Sequence, residues 1–398
     1  MMFMNIFVTN KRSLVELKPR LYNHFLIQVC GPTLYDGIHL GHVRTFIFFD
    51  VLARFLKYSG YKVSFSMNFT DVDEDVFNKA RKEGVSFEVV SNKFCALTLN
   101  TLNDLNIKTP TNYPRASENI EHCIKIIRSL ISKNLAYELN GNVFIEFDKL
   151  SDQGPVSGLS REVLLDLRLD SYKGKRGPLD FLLWYKSDRS PNWPSPWSFG
   201  RPGWHLQDVV IANTVFNGPH DLHGGAVELV YPHHDFIECL GRAVEEVNPY
   251  VPYWVHTCIL LIEGKKMSKS EGNVIYVDDL LKRFNPSSIR AYFLSTNREV
   301  AVNFKEDDLI KYDNMIKALK LELDKCKGSY LPPSEDVSIL KKMLIKSLSK
   351  NMDTNKALEL CVQMVHLVRE RGINIEVVRE PLQILGLDTP PLASKSSG

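Results

Sequence analysis

Two short runs carry the residues best suited to chemistry: His39-Leu40-Gly41-His42 near the start and, far downstream, Lys266-Met267-Ser268-Lys269-Ser270. Histidines flanking a glycine can donate hydrogen bonds to phosphate oxygens, and Gly41 lets the backbone come close to a nucleotide. If the run feeds a helix N-terminus, unpaired N–H groups and the positive end of the dipole complete an anion site. The role this implies for His39 and His42 is to stabilise charge that builds up in a transition state, not to act as nucleophiles. Lys266 and Lys269 lie in a small polar segment, 264–272, and two ammonium groups on a mobile loop can close over departing pyrophosphate. Alone, the first run could be surface histidines at a helix start and the second a solvated turn. Together, in this order, they point to a catalyst that splits a nucleoside triphosphate.

Such residues need a scaffold that brings them together. Residues 24–30 read as a short buried strand followed by the turn signal Gly31-Pro32. After the histidine run, 45–57 is apolar almost all round and stops at Gly60, which predicts a buried helix. Residues 62–67 form a second strand ending at Asn68-Phe69-Thr70-Asp71. Strand, helix, strand makes a right-handed βαβ unit with a parallel sheet, whose ligands bind at the carboxyl ends of the strands. Further on, 118–138 is helical in pattern, 142–147 reads as a strand, and 150–176 and 191–203 are irregular. This region reads as an insertion between two halves of a Rossmann-type α/β sheet. Residues 227–231 and 256–262 read as strands of the second half, while 309–327, 337–352 and 356–371 are helical. The expected organisation is a catalytic domain over 1–305, with its insertion at about 110–200, a helical bundle over 306–389 and a disordered tail at 390–398.

Composition bounds the reading further. The 398 residues are 44% hydrophobic and 24% charged, as in soluble globular proteins. No run of about 18 apolar residues exists, so no membrane span is expected. A net charge of +2 argues against a nucleic-acid binder held by bulk charge, though local basic patches remain open. Seven cysteines without a CxxC pair fit a reducing cytoplasm.

The surrounding segments resemble one branch of the class I aminoacyl-tRNA synthetases: the cysteinyl enzymes and their relative, the cysteine ligase of mycothiol synthesis. The segments are Val29-Cys30-Gly31-Pro32-Thr33, Asn68-Phe69-Thr70-Asp71-Val72-Asp73, Asp180-Phe181-Leu182-Leu183-Trp184, Trp193-Pro194-Ser195-Pro196-Trp197, Gly200-Arg201-Pro202-Gly203-Trp204-His205 and Tyr231-Pro232-His233-His234. The resemblance implies activation of a carboxylic acid as an acyl-adenylate. ATP and adenylate contacts would come from Gly31, Pro32, Thr33, Gly41, Thr45, Asn68, Phe69, Thr70, Gly225 and Leu260. It also implies one Zn²⁺ that binds the substrate thiolate, with Cys30, Asp208 and His233 as ligands and Cys30, Trp204 and Glu228 facing cysteine. Two positions depart from the family: Asp208 stands where it has a second cysteine, and Ile237 where the synthetases have a glutamate. A shifted pair, His234 with Glu238, is a second way to complete the metal set.

The acceptor is where the resemblance divides. The sequence stops after the helical region, as the mycothiol ligase does, and Thr70-Asp71-Val72-Asp73-Glu74-Asp75-Val76-Phe77 resembles that enzyme's acidic segment. Arg44 is more synthetase-like. The reading put first is a monomeric ATP-dependent ligase that forms cysteinyl-AMP and transfers cysteine to the amine of glucosaminyl-inositol, with Asp71 or Asp73 orienting the nucleophile. A compact cysteine–tRNA ligase is the alternative, and a non-catalytic adenylate-binding paralogue stands behind both.

Overall fold

The computed structural model describes residues 3–150, 154–167, 172–269, 271–326 and 331–388, so the expected tail at 390–398 lies outside the described residues. Its centre is a four-stranded parallel sheet in the order Tyr253–Thr257, Leu222–Ala226, His24–Thr33, Lys62–Thr70. The order is that of a Rossmann-type sheet, with the first βαβ unit placed as the sequence predicts. The crossover helix, Leu40–Tyr58, buries Phe46, Phe49, Leu52 and Phe55 against the sheet. It begins five residues before the predicted 45–57, because the histidine run supplies its first turn. Its packing explains a glycine: a Cβ on Gly224 would lie 2.0 Å from the Phe49 ring.

The second half corrects the sequence reading. Residues predicted as a strand at 227–231 instead form tight turns, Val227–Leu229 and Val230–His234. The strand is Leu222–Ala226, just upstream. A short apolar run cannot be told from a helical turn by periodicity, and Gly224-Gly225 hides the true strand. The predicted strand at 256–262 is split: Tyr253–Thr257 stays in the central sheet, while Leu260–Ile262 joins a small sheet with Lys265–Lys266 and Val302–Phe304.

Between the two halves stands a five-stranded antiparallel sheet in the order Ala136–Leu139, Asn142–Ile145, Phe181–Lys186, Phe199–Pro202, Trp193–Pro194. The predicted helix at 118–138 is shorter, Ile120–Ser132, and its last residues belong to the first of these strands. C-terminally, helices Glu306–Lys325, Glu335–Ser349 and Thr354–Arg371 match the predicted three within a few residues. A fourth, Glu376–Leu385, went unread because Pro381 inside it signals a break. No described helix is long and apolar enough to cross a membrane.

Candidate active site

The first turn of Leu40–Tyr58 is closed by the two histidines themselves. His39 is the N-cap, with φ −103° and ψ 169°. The His42 N–H donates to His39 Nδ1 at 3.4 Å and the His39 N–H donates to His42 Nδ1 at 3.3 Å, a reciprocal capping box. The rings stack with centroids 3.7 Å apart at 13°. A Cβ at Gly41 would meet the His39 ring at 3.1 Å and Met267 Cε at 3.3 Å, a tight fit to which those side chains would have to yield. Burial, then the Lys269 charge, lowers His39 to about 4; burial, then His39, holds His42 well below its ordinary value. Both rings are therefore neutral at pH 7. With each Nδ1 accepting a backbone N–H, the ring proton sits on Nε2, leaving one donor per ring.

At the carboxyl ends of the central strands lies a cleft of about 240 Å³. Its walls include Cys30, Gly31, Thr33, Asn68 and Thr70 from the first βαβ unit, His39, Gly41, His42 and Thr45 from the helix start, and Trp204, Glu228, His233 and Leu260 from the second half. Asn68 is buried, and its Oδ1 has no hydrogen-bond partner. Pro32, Phe69 and Gly225 fall outside these walls; Phe69 is fully buried and packs on Tyr113. Thr45 reaches the cleft, but its hydroxyl is engaged with Thr257 Oγ1 at 2.6 Å.

The lysine run borders the same cleft through Met267. Lys266 ends a two-residue strand paired with Leu260–Ile262, and the turn beyond is shaped by Asn273, which accepts from the Ser268 N–H and donates to Lys266 O. Lys266 Nζ pairs with Glu228, so a carboxylate expected to face the cysteine substrate already holds a cation. Lys269 Nζ lies 2.8 Å from Asp36 Oδ2 and 3.8 Å from the centroid of the Tyr35 ring. Ser270 lies outside the described residues.

Deeper in, Cys30 is surrounded by ligating groups. Its sulfur is 3.3 Å from His234 Nε2, 3.5 Å from His223 Nε2 and 3.6 Å from Asp208 Oδ1. Ligand atoms of Cys30, His233 and His234 all fall within 4.8 Å of one another, as do those of Cys30, Asp208 and His223. Asp208 Oδ2 is buried with no hydrogen-bond donor, 3.4 Å from His233 Nε2. Burial, then the Asp208 carboxylate, pushes the Cys30 thiol well above its ordinary value. A cation placed here would reverse that shift, satisfy Asp208 and take the sulfur as thiolate, so the donor set fits a borderline-soft divalent metal such as zinc. The outer nitrogens are held in turn: His234 Nδ1 meets His256 Nε2 at 2.7 Å, His223 Nδ1 meets His220 Nε2 at 3.0 Å, and His233 Nδ1 meets His205 Nδ1 at 2.9 Å. Trp204 stacks on His233 with centroids 4.0 Å apart.

Two sequence-based options fail on geometry. Glu238 is no partner for His234 at a metal: its carboxylate accepts from Arg242 Nε, the Tyr250 and Val251 N–H groups and Trp254 Nε1. Asp71 is likewise committed, to the N–H and hydroxyl of Ser117. Asp73 caps helix Glu74–Glu83 and borders a second cavity of about 530 Å³, which shares Trp204 with the first. His223, absent from the expected metal set, was readable only as the residue before Gly224-Gly225; the fold is what aims it at Cys30.

Against known proteins, residues 16–314 match the tRNA synthetases class I (C) catalytic domain. The chain belongs to the cysteinyl-tRNA synthetase family. Among curated relatives, it is 32% identical over 396 residues to the cysteine–tRNA ligase of Thermococcus gammatolerans, covering 96% of this chain and 83% of that protein. It is 38% identical over 313 residues to the cysteine–tRNA ligase of Lachnospira eligens, covering 76% and 66%. Among solved structures, it superposes on Mycobacterium tuberculosis methionyl-tRNA synthetase in complex with methionyl-adenylate with a TM-score of 0.66 at 14% identity, covering 92% of each chain. That likeness establishes the class I fold. Membership of the family makes this synthetase-family chain an ATP-dependent, amino-acid-activating ligase.

Proposed function

We propose that the chain activates cysteine as cysteinyl-AMP and transfers it to the terminal adenosine of tRNA. The observation that carries the reading is the meeting, in one cleft, of His39 and His42, the lysine loop and the ligating cluster around Cys30. In the first step the substrate carboxylate attacks the α-phosphorus of ATP, a phosphoanhydride bond breaks, and pyrophosphate leaves. His39 and His42 donate from Nε2 to phosphate oxygens, and Lys266 and Lys269 neutralise the leaving group. Thr33, Asn68 and Thr70 contact the adenylate, and Trp204 and Glu228 the amino acid. Cys30, Asp208 and His233 would hold a zinc ion, with His234 and His223 alongside; that ion would supply selective binding of a thiolate over a hydroxyl. In the second step a ribose hydroxyl attacks the mixed anhydride and AMP departs.

The sequence alone put the amine of glucosaminyl-inositol first. Relatives that carry the name cysteine–tRNA ligase across most of the chain support the tRNA acceptor better. The same reading places the catalytic unit at 1–305, the helical unit at 306–389, and the protein as a monomer in the reducing cytoplasm, consistent with seven free cysteines. The test begins with pyrophosphate exchange, amino acid by amino acid, and continues with cysteine-dependent AMP release in the presence of tRNA or of glucosaminyl-inositol. Exchange with cysteine and stimulation by tRNA are expected. Stimulation by glucosaminyl-inositol alone would overturn the acceptor, exchange with another acid would overturn the substrate, and no exchange with any acid would leave an adenylate-binding paralogue.

A further inference from the structure

The two loop lysines are exposed, yet each ammonium is already engaged by a carboxylate. Lys269 is seated between the Asp36 carboxylate, 2.8 Å away, and the Tyr35 ring, and Asp36 is itself fixed by the Tyr276 hydroxyl at 2.6 Å and the Gly37 N–H at 2.9 Å. Lys266 is paired with Glu228, which stands on the opposite wall of the cleft in a short turn after the strand Leu222–Ala226. The lysine loop is bounded by Gly264 (φ +76°) and Gly272 (φ +68°), left-handed positions with open space around both. Met267 anchors it in the core, so the exposed Lys266 side chain can leave Glu228 by its own torsions while the backbone stays seated. A lysine ammonium held by a carboxylate offers less charge to a phosphate.

We propose that Glu228 is an exchange point that couples the two substrates: Lys266 and the amino group of the incoming amino acid compete for its carboxylate. When the ammonium of the amino acid occupies Glu228, Lys266 is released toward the triphosphate, and nucleotide affinity rises. Linkage makes this reciprocal, because nucleotide that draws Lys266 away clears Glu228 for the ammonium. Asp36 plays no part in the exchange; it seats Lys269 and lies with the loop before the histidine run. The identity of the competing cation rests on the reading above, but the Lys266–Glu228 pair does not.

The size of the effect follows from exposure. Lys266 and Glu228 are 55% and 43% exposed, and such pairs are worth up to about 1 kcal/mol, so release changes nucleotide affinity by about two- to fivefold. Binding of α,β-methylene-ATP, which cannot lose pyrophosphate, is measured on the full chain without amino acid. Glu228→Gln is expected to tighten it by that factor, and to do little in a Lys266→Met background, where no lysine remains to be freed. Equal tightening in both backgrounds would mean that Glu228 acts only through its negative charge, and would overturn the exchange, as would unchanged or weaker binding to the single variant. In the unsubstituted chain, cysteine should tighten the nucleotide analogue while 3-mercaptopropionate, which lacks the ammonium, should not. Equal tightening by the two acids would also overturn it. If cysteine does nothing while Glu228→Gln tightens binding only when Lys266 is present, the exchange stands and cysteine is the wrong substrate.

Discussion

Each ring of the His39/His42 pair accepts a backbone N–H at Nδ1, so capping the helix also fixes which nitrogen can face a phosphate. The same geometry sets a pH dependence. His39 has a folded value of about 4 against 6.5 in an unfolded chain, so between those values the unfolded state carries the extra proton. The stability it contributes is therefore complete above pH 6.5 and is lost as pH falls from 6.5 toward 4. His39→Asn keeps a capping oxygen but removes the titration; the unfolding free energy from urea titrations should fall less between pH 7.5 and 5.5 in this variant, by up to about 1.4 kcal/mol per pH unit. A decline identical to that of the parent chain would show that His39 is not held neutral. A second residue-level outcome concerns Asp208. With Cys30 as the single cysteine of the cluster, a cobalt-loaded chain should show charge transfer from one protein thiolate; Asp208→Cys should about double that absorbance, and Cys30→Ser should abolish it. Persistence of the band in Cys30→Ser would place the metal elsewhere. Cys30, Asp208 and His233 were legible because each lies in a motif with family-like neighbours. His223 and His234 were harder to place: nothing in sequence says which of two adjacent histidines, or which residue beside a diglycine, turns toward a sulfur 200 residues away in the chain.

Helix Leu40–Tyr58 does more than present its first turn. Buried Arg44, one turn in, donates to four carbonyls: Cys258 and Ile259 ahead of the lysine loop, and Asn297 and Val300 beyond it. Burial lowers it to about 10, still far above working pH, so it stays charged. Arg44 thus ties the helix that carries the histidines to both chain segments that flank the lysines. Lysine cannot span that fork, having one nitrogen where Arg44 uses two. Arg44→Lys should cost about 3 kcal/mol in stability from stranded buried carbonyls, and should lower kcat for pyrophosphate exchange more than it raises KM for either substrate. A change confined to KM would show that the tie does not align the two motifs. Elements were legible in proportion to their periodicity. The first three C-terminal helices repeat apolar residues at helical spacing and the crossover helix is apolar over a length no strand reaches, whereas Leu222–Ala226 is five residues long, carries two glycines and gains its strand character from neighbours on both sides. The boundary of the lysine loop was readable from Gly264 and Gly272, but Asn273, which shapes it, looked like any polar residue of a turn.

At the scale of the molecule, the catalytic sheet and the C-terminal helices are joined by a charge network that no motif announces. Asp50, in the crossover helix, and Arg290, in helix Pro286–Leu294, form a fully buried ion pair. Arg290 Nε also donates to Leu385 O at the end of the last helix, and Arg54 pairs with Asp50 at 2.8 Å while donating to Asn106 O and Gln383 O. Asp50 further accepts from the N–H and hydroxyl of Thr109. Burial by itself would raise the Asp50 carboxyl; the Arg290 and Arg54 guanidiniums beside it hold it below the ordinary carboxylate range instead. Its contribution to stability is thus present above that range and is lost as pH falls through its lowered folded value. Sequence reading could not find this pair, since two charges 240 residues apart on apolar helices look like exposed residues until the helices are docked. The network decides how the two regions respond to mutation. Arg290→Met leaves buried Asp50 with Arg54 and Thr109 alone, Asp50→Leu leaves buried Arg290 with backbone carbonyls alone, and each should cost about 3 kcal/mol. If the pair mainly specifies docking, the double variant should cost much less than the sum, because replacing both charges by apolar groups removes the desolvation penalty together with the attraction. Denaturant midpoints of the four chains measure this directly. Additive losses would show instead that Asp50 and Arg290 are held by their separate backbone and Arg54 contacts, and that the helices dock without reading each other's charge.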